Sequence, residues 1–513
     1  MKNRTVFCFQ MATIAVCAGC VLAVSALSGC SAKKQQSADS DVLTFMLIDN
    51  EGNPLSGTNA NTVINTMEQW TGSKISFQFV PNDSYNDQVH ALLKTPASLP
   101  MIMSVNKLDQ DIIAAVQQDL FWDLNDFIWD SAKYPNLSKA NKNVCKSLEV
   151  RGKLIGLYKA RDIGRNGFGY RTDWAEKLGL PAPRTPEDVY NMMKAFATQD
   201  PDGNGIDDTF GLAMCNYTGP FDIIQTWFGC GNGWIEENGK LLPVHQTAAY
   251  KDALDWMRRL YEEKLIPQDW RTRESKYWQD QVKNGEAGMF VDVMDGSRRI
   301  WDNFVNGKIP SVVDPEKTAT MTLVGPINGA TLATAGYNGF IVITKTAATR
   351  EQVEACLHYL DKMCDDEMII LAAYGLKNVH YTIDTSGYLV PNADKSSSKA
   401  YSALNQTQCF IPHALSAAKP SIKQTDRKLK ELEVIASNEK YAVFNPALSF
   451  LANSPTYAKS GSRLDKLISD ARTQYICGEI NELGLQDAFD QWNKQGGTAV
   501  LSEVNEQYRA AKK

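Results

Sequence analysis

Oxygen-bearing side chains recur at alternate positions in the run Asp200-Pro-Asp-Gly-Asn-Gly-Ile-Asp-Asp208. Five members of this run occupy the ligand positions 1, 3, 5, 7 and 9 of an EF-hand loop, the fourth of them through its backbone carbonyl: Asp200, Asp202, Asn204, Ile206 and Asp208. Gly205 occupies position 6, where the sharp turn needs a positive φ. Hard oxygen ligands around a tight turn suit Ca²⁺, so the pattern predicts a calcium site.

The twelfth position of this loop is Gly211, where an EF-hand normally carries a bidentate Glu. We therefore expect Asp208 to take over the role of the last ligand. The alternative is a turn without metal, because Asp, Asn and Gly favour turns by themselves. Since nothing in the sequence resembles paired sensor hands, the pattern favours a structural calcium ion over a regulatory one.

Two arginines stand in a basic, glycine-rich loop that spans residues 159–167. Arg161 and Arg165 can clamp a carboxylate, because the guanidinium group presents paired N–H donors. The alternative is that both residues form ordinary surface salt bridges, since charged loop side chains are usually solvated.

Two tryptophans lie near glycines in the segment 221–234. Trp227 and Trp234 can stack on the flat C–H faces of sugar rings, while polar neighbours bind the hydroxyl groups. The alternative is burial in a core, which is the commoner fate of a large aromatic side chain.

Two acidic side chains lie at the C-terminal end of the segment 285–292, which is expected to be a strand. In open α/β sheets, ligands bind outside the carboxyl ends of the strands. Asp292 is therefore the best carboxylate candidate for binding sugar hydroxyls or a cation, with Asp295 beside it. The alternative is an aspartate that is satisfied within its own loop.

Two helices are predicted between the strand that ends near Tyr170 and the calcium loop. Asp173 can cap the first helix, and Glu176 can complete a capping box. Thr185 caps the second helix and Asp188 closes its box.

Strands and helices alternate in the first hundred residues of the body. Strand signals at 42–48, 74–80 and 99–105 alternate with helical signals at 58–70, 85–94 and 108–118. Short connections between such elements predict an α/β fold with mostly parallel sheets flanked by helices. A chain of 513 residues is too long for one core, so at least two domains are expected.

The sequence resembles a known family at three points. These are Tyr170-Arg-Thr-Asp-Trp-Ala-Glu-Lys-Leu-Gly-Leu-Pro181, Thr185-Pro-Glu-Asp188 and the Asp-Pro-Asp-Gly-Asn-Gly run. They are similar to the family 1 extracellular solute-binding lipoproteins of ABC transporters, and most of all to the long, calcium-loop branch that includes alginate-oligosaccharide-binding proteins.

The resemblance implies a two-lobed periplasmic-binding-protein-like fold of type II, with three crossovers and a ligand cleft between the lobes. It implies a lipoprotein signal peptide at residues 1–29 and a tether at 30–41. The first lobe is expected to comprise residues 42–150 with 325–392, and the second lobe, which carries the calcium loop, residues 151–324 with 393–513. The segment 121–127 resembles the family's segment just before the lobe crossover, and the part of the chain that begins at 336–344 returns to the first lobe in that family, with Tyr337 facing the cleft. Trp122 and Tyr337 are therefore also expected to bind ligand.

The function implied by this resemblance is the capture of an oligosaccharide by closure of the two lobes, followed by delivery to ABC permease subunits. The protein is expected to act as a monomer. The calcium ion would stiffen the second lobe away from the hinge.

The first thirty residues have the pattern of a lipoprotein leader. Lys2 and Arg4 precede an apolar run that ends in Leu27-Ser28-Gly29-Cys30. This pattern predicts cleavage before Cys30 and lipidation of its thiol. The resemblance to the family branch implies that the anchored protein lies on the extracellular face of a Gram-positive type membrane or, in a Gram-negative envelope, on the periplasmic side. The alternatives are an uncleaved membrane anchor and an ordinary secretory signal.

The composition excludes some other functions. The formal charge is −6, and loss of Lys2 and Arg4 with the leader gives −8, so an acidic body without a basic stripe argues against nucleic acid. Seven cysteines beyond the leader are scattered and odd in number, which indicates buried free thiols, although sequence alone does not rule out one disulfide.

No catalytic motif stands out among the five histidines or in any G-x-S-x-G, P-loop or G-x-G-x-x-G pattern. We therefore expect a binding protein with no catalytic residues. The alternatives are a surface polysaccharide hydrolase or lyase, whose carboxylate pair would be assembled only in space, and a peptide- or lipid-binding lipoprotein on the same fold.

Overall fold

The computed structural model describes residues 42–50, 52–392, 395–409 and 420–512. The signal peptide, the tether and Cys30 lie outside the described residues.

Within these residues the strands are β1 (Val42–Asp49), β2 (Lys74–Pro81), β3 (Ile102–Val105), β4 (Glu149–Val150), β5 (Lys153–Leu154), β6 (Leu157–Ala160), β7 (Asn166–Arg171), β8 (Phe210–Leu212), β9 (Trp234–Glu237), β10 (Lys240–Pro243), β11 (Ala287–Val293), β12 (Met321–Val324), β13 (Thr331–Leu332), β14 (Tyr337–Ile343), β15 (Tyr381–Ile383), β16 (Leu389–Pro391) and β17 (Ala442–Val443).

The helices are α1 (Ala60–Thr71), α2 (Asn82–Leu93), α3 (Gln110–Gln117), α4 (Lys142–Ser147), α5 (Thr172–Lys177), α6 (Pro186–Thr198), α7 (Gly219–Thr226), α8 (Ala248–Glu262), α9 (Asp280–Lys283), α10 (Met294–Gly307), α11 (Arg350–Lys362), α12 (Asp366–Tyr374), α13 (Asp426–Asn438), α14 (Leu448–Ala452), α15 (Pro455–Ile476), α16 (Glu482–Trp492) and α17 (Thr498–Ala511). No helix in the described ranges is long and apolar enough to span a membrane.

Two sheets organise the chain. The first has the strand order β2-β1-β3-β14-β6, and the second has the order β12-β7-β11-β8. Each sheet is covered by its own set of buried apolar side chains, represented by Phe45 and Ile102 around the first and by Phe168 and Trp256 around the second. The two sheets are therefore the centres of two lobes.

The sheets are mixed, whereas the sequence predicted mostly parallel ones. In the first sheet β1 pairs in parallel with β2 and β3, but β14 is antiparallel to β3 and β6. In the second sheet β7 is antiparallel to β11 and β12, and only β11 and β8 are parallel. The reason is the crossovers, because β7 and β14 each enter their sheet from the other lobe while their neighbours run the opposite way.

The capping predictions had different outcomes. Thr185 caps α6 and forms the predicted box with Asp188, whose side chain accepts from the Thr185 backbone at 2.9 Å. The cap predicted at Asp173 is wrong. Asp173 is buried inside α5, where it accepts two hydrogen bonds from Arg171, at 2.9 and 2.7 Å, because a buried guanidinium needs a counter-charge.

Two neighbouring segments connect the lobes. Residues 161–165 run from β6 in the first sheet to β7 in the second, and residues 325–336 return from β12 to β14. The two segments are hydrogen bonded to each other, since Thr334 N donates to Ile163 O at 3.0 Å. The third predicted crossover lies partly outside the described residues.

Strand pairing bears on the lobe boundaries predicted from sequence. β6 pairs with β14 in the first sheet, although residues 151–324 were assigned to the second lobe. Leu404 and Cys409 likewise belong to the first core, although residues from 393 onward were assigned to the second lobe. We propose boundaries after Ala160 and after Cys409.

Candidate functional site

A cavity of about 730 Å³ lies at one edge of the first sheet, closed on its other side by α12 and the segment 402–409. Strands β1, β2, β3 and β6 end at this edge, and β14 begins there. Amide side chains dominate its polar lining: Asn50, Asn82, Asn106, Asn338, Asn405, Gln406 and Gln408. An amide offers both a donor and an acceptor, which is what a sugar hydroxyl requires.

Sequence reasoning missed these amides, although a signal was present. Asn50, Asn82 and Asn106 directly follow the last residues of β1, β2 and β3. Because the carboxyl ends of parallel strands meet at one edge, three asparagines in this position are brought together by the sheet.

A second cavity of about 430 Å³ adjoins the first, because Ala160 and Asn338 line both. It lies between the ends of β6 and β14 in the first lobe and helices α10 and α13. Its wall is charged and contains Arg161, Asp162, Arg165, Asp295, Arg298, Lys428 and Glu431. We call the two adjoining cavities the cleft.

The predicted arginines both line the cleft, but they differ in their partners. Arg165 donates from Nε to Asp295 Oδ1 at 2.8 Å, and Arg299 pairs with the other oxygen of the same carboxylate. Burial by itself raises the pKa of Asp295, but the two guanidinium groups outweigh this effect and hold the pKa below its usual range. Arg161 is exposed and has no ion pair with another described residue.

Asp292 lies near the end of β11, two residues before α10, as the sequence predicted. Burial raises the pKa of Asp292 to about 6, and the neighbouring carboxylate of Asp295 adds to this rise, while Arg165 and Arg299 oppose it. Asp292 therefore interacts electrostatically with two residues that line the smaller cavity, Asp295 and Arg165, although it is not itself among the residues that line it.

Tyr337 and Trp122 lie at opposite edges of the first sheet. Tyr337 opens β14 at the cleft edge and packs against the first core, while its neighbour Asn338 lines both cavities. Trp122 instead donates from its indole to Ala347 O at 2.9 Å, beyond the other end of β14, and Lys345 covers its ring. These contacts place Trp122 away from the cleft.

The two tryptophans predicted as sugar platforms are in the hydrophobic core. Trp227 is fully buried between Phe168 and Trp256, with ring centroids 5.7 and 6.2 Å away. Trp234 begins β9 and is buried with Trp492 in another apolar cluster. Their flat faces are covered by protein, so neither residue is available to a ligand.

Tyr217 is an exposed aromatic residue that sequence reasoning missed. Half of its surface is exposed, and its ring contacts Trp278 edge-on at 5.8 Å. Burial is the largest cause that raises the pKa of Tyr217, and the nearby carboxylate of Asp292 is the second, while Arg161 lowers this pKa. Tyr217 thus lies near both charged residues and presents an aromatic surface there.

The predicted calcium loop has the expected backbone form. Gly205 has a φ of +84°, and the backbone N–H groups of Gly203 and Gly205 donate to the Asp200 carboxylate at 2.9 and 3.2 Å. The side chain of Ile206 points outward and is 60% exposed.

The side chains of the loop converge on one point. The Asn204 amide nitrogen lies 3.0 Å from Asp202 Oδ2 and 3.3 Å from Asp208 Oδ1. Burial, and then the neighbouring carboxylates of Asp200 and Asp208, raise the pKa of Asp202, so negative charge is crowded here. In the described part of the chain, no cluster of three or more His, Cys, Asp or Glu side chains is placed to hold a metal ion. The fit of this loop to Ca²⁺ therefore depends on Asn204 and on the Ile206 carbonyl as additional oxygen ligands.

Seven cysteines in the described ranges are free, and all except Cys477 are buried. Cys364 and Cys409 have their sulfur atoms 4.0 Å apart, without a bond. This agrees with the thiols expected from the sequence.

Comparison with known proteins gives consistent matches. The model of the family "bacterial extracellular solute-binding protein" matches residues 57–360. The lipoprotein LipO of Bacillus subtilis is 33% identical over 510 residues, which cover 96% of this chain and 97% of that protein. The polygalacturonan/rhamnogalacturonan-binding protein YtcQ of the same organism is 29% identical, covering 95% and 96%.

Among solved structures, an HMO-binding solute-binding protein associated with an ABC transporter, from Bifidobacterium longum infantis, superposes with a TM-score of 0.65. The alignment covers 91% of this chain and 98% of that one at 17% identity. At this identity the likeness shows the fold alone, and it confirms the predicted two-lobed architecture.

Proposed function

The chain belongs to the family of bacterial extracellular solute-binding proteins, and from this premise we propose that it captures an oligosaccharide outside the cell and delivers it to the permease of an ABC transporter. Family membership also confirms the prediction that the chain is a binding protein and no enzyme. The hydrolase or lyase alternative is therefore not retained.

The observation that carries the choice of ligand is the amide lining of the larger cavity. Among the described residues that line it, seven are asparagine or glutamine, and Lys159 is the only charged one. Hydroxyl-rich ligands are bound through many such neutral donors and acceptors, because each hydroxyl group both donates and accepts. The names of the relative YtcQ and of the structurally similar HMO-binding protein also refer to carbohydrates. A peptide ligand, the remaining alternative, would be expected to need apolar pockets as well.

Closure of the two lobes would trap the ligand, and the paired connecting segments 161–165 and 325–336 are the natural hinge. Residues of both lobes line the smaller cavity, so a ligand bound there contacts both and favours the closed form. We propose that the permease recognises this closed form and that the protein works as a monomer.

We further propose that Ca²⁺ occupies the loop Asp200–Asp208, bound by the side chains of Asp200, Asp202, Asn204 and Asp208 and by the carbonyl of Ile206. The convergence of Asp202 and Asp208 on the Asn204 amide supports this proposal, because a cation there would relieve the repulsion between the carboxylates. The ion would have a structural role in the second lobe.

The membrane anchor is a proposal from the sequence of the leader and from the family. Leu27-Ser28-Gly29-Cys30 has the spacing of a lipoprotein cleavage site, and the relative LipO is named a lipoprotein. We propose that Cys30 carries the lipid and holds the protein on the extracellular face of the membrane.

A thermal-shift screen with a library of oligosaccharides and peptides tests the proposed ligand class. A ligand that binds only the folded state stabilises it by about 2.7 kcal/mol at a concentration of 100 Kd. We expect the melting temperature to rise with the dose of an oligosaccharide that is recovered uncut. A rise with peptides alone, or a shortened glycan, would contradict the proposal.

Two variants make the screen specific to the cleft. Asn338→Ala removes an amide that lines both cavities, and we expect it to weaken binding about fivefold, the worth of a typical hydrogen bond. Asn143→Ala, at an exposed asparagine that lines neither cavity, is the matched control and should bind like the wild type.

A further inference from the structure

Two cations close together in sequence, at and just after the end of β6, line the cleft. Lys159 belongs to β6 and lines the larger cavity, and Arg161 directly follows that strand and lines the smaller one. The backbone N–H of Arg161 donates to Gly336 O, so the extended pairing continues through it. Residues two apart in an extended strand point to the same side and lie about 6.6 Å apart. One extended ligand can therefore reach both groups.

The other cations of the cleft are already neutralised by carboxylates. Arg165 is paired with Asp295, while Arg298 and Lys428 both contact Glu431, which is itself buried. These pairs form the wall of the smaller cavity and leave little of their charge for a ligand.

Within the described ranges, Lys159 and Arg161 have no such carboxylate partner. The ammonium group of Lys159 donates to the neutral amide oxygen of Gln406 at 2.7 Å. Arg161 forms no ion pair with any residue that the structure describes, although the carboxylate of Asp162 is part of the same wall. Among the described residues that line the two cavities, five cations stand against three carboxylates.

This local excess is opposite in sign to the charge of the whole chain, which is −6. Although the Arg161 side chain is exposed, the neighbouring protein removes part of its hydration, and this desolvation, followed by repulsion from Arg165, lowers the pKa of Arg161. Burial lowers the pKa of Lys159 to about 8. Both cations are thus held in surroundings that disfavour positive charge, and an anion bound between the lobes would relieve this cost.

From this arrangement we infer that the oligosaccharide carries carboxylates, as in a chain of uronic acid residues, and that Arg161 pairs with one of them while Lys159 and the cleft amides bind ring oxygens. The inference rests on the proposed function and adds the charge of the ligand to it. A guanidinium suits this role because its parallel N–H groups match the two oxygens of a carboxylate.

Calorimetric titration of the purified full-length chain with two matched probes tests this inference. The probes are an oligogalacturonide of defined length and the same oligosaccharide with its carboxyl groups methyl-esterified. We expect the acid to bind at least about tenfold more tightly than the ester, and this preference to shrink as the salt concentration rises.

The variant Arg161→Gln shows which residue reads the carboxylate. It should weaken binding of the acid about tenfold and leave binding of the ester unchanged, which would show that the substitution and the esterification remove the same interaction. Arg161→Lys should recover part of the lost affinity for the acid. Arg509→Gln, at an exposed arginine of α17 that lines neither cavity, is the control and should bind both probes like the wild type.

The outcomes separate the two levels of the proposal. Equal binding of acid and ester, an unchanged affinity in Arg161→Gln, or binding restricted to neutral or sulfated oligosaccharides would overturn the inference while leaving oligosaccharide capture intact. If no oligosaccharide of any kind binds, both the inference and the proposed function are wrong.

Discussion

The backbone N–H of Arg161 donates to the carbonyl oxygen of Gly336 at 3.0 Å, and this bond joins the two segments that connect the lobes. Gly336 has a φ of +79°, and a Cβ atom at this position would lie 2.4 Å from Cγ2 of Val144 in the first core. The junction of the lobes thus contains a glycine at a position that has no room for a side chain.

We expect Gly336→Ala to lower the free energy of unfolding by about 2–4 kcal/mol, through backbone strain and through the clash with Val144. Gly329→Ala is the matched control, because Gly329 has a similar φ of +74° in the same connecting segment but open space where its Cβ would lie. It should cost only about 1 kcal/mol. Urea denaturation compares the two, and equal losses would show that the contact with Val144 does not matter.

Removal of calcium tests the loop of the second lobe. We expect EDTA to lower the melting temperature and added Ca²⁺ to restore it, because an ion bound only to the folded state stabilises that state. Asp202→Asn should abolish the effect of calcium. Asp207→Asn changes an exposed neighbour outside the proposed ligand set, and this variant should still be stabilised by calcium. If EDTA does not change the melting temperature of the wild type, the proposal is wrong and the loop is a turn that binds no metal.

Truncation of Trp227 tests its reassignment from ligand platform to core. Because the ring is fully buried, Trp227→Ala should lower the free energy of unfolding by about 3–5 kcal/mol. Trp70→Ala, at a tryptophan that is 42% exposed, should cost much less. Chemical denaturation measures both, and a loss of ligand affinity in Trp227→Ala protein that remains fully folded would return this residue to the site.

Acid should destabilise the second lobe through His245. Its ring packs against Phe489 and Trp492, and burial lowers the pKa of His245 to about 3 from its usual 6.5. Below pH 6.5 the unfolded chain therefore binds a proton that the folded chain does not. This part of the stability is complete above pH 6.5 and is lost at up to about 1.4 kcal/mol per unit as the pH falls towards 3.

The contribution of His245 is isolated by comparing variants over this pH range. His245→Leu should show a weaker loss of stability between pH 6.5 and 4 than the wild type, whatever its stability at neutral pH. His358→Gln, at an exposed histidine, should follow the wild-type slope. Parallel curves for His245→Leu and the wild type would contradict the assignment.

Features that depend on a few neighbouring residues were predictable from sequence. The capping box of Thr185 and Asp188 and the positive φ of Gly205 follow from contacts within about five residues, and the structure contains both. Motifs of the same local kind also carried the family resemblance, which led correctly to the two-lobed fold.

Burial and convergence depended on the tertiary structure. Trp227 was placed near a ligand because glycines surround it, yet its neighbours in space include Trp256 and Asn328, the latter donating to its carbonyl from 101 residues away. Asn50, Asn82 and Asn106 become one binding surface only because three parallel strands end at the same edge. The type and spacing of residues determine what a segment can do locally, whereas the packing of distant segments determines which side chains remain open to a ligand.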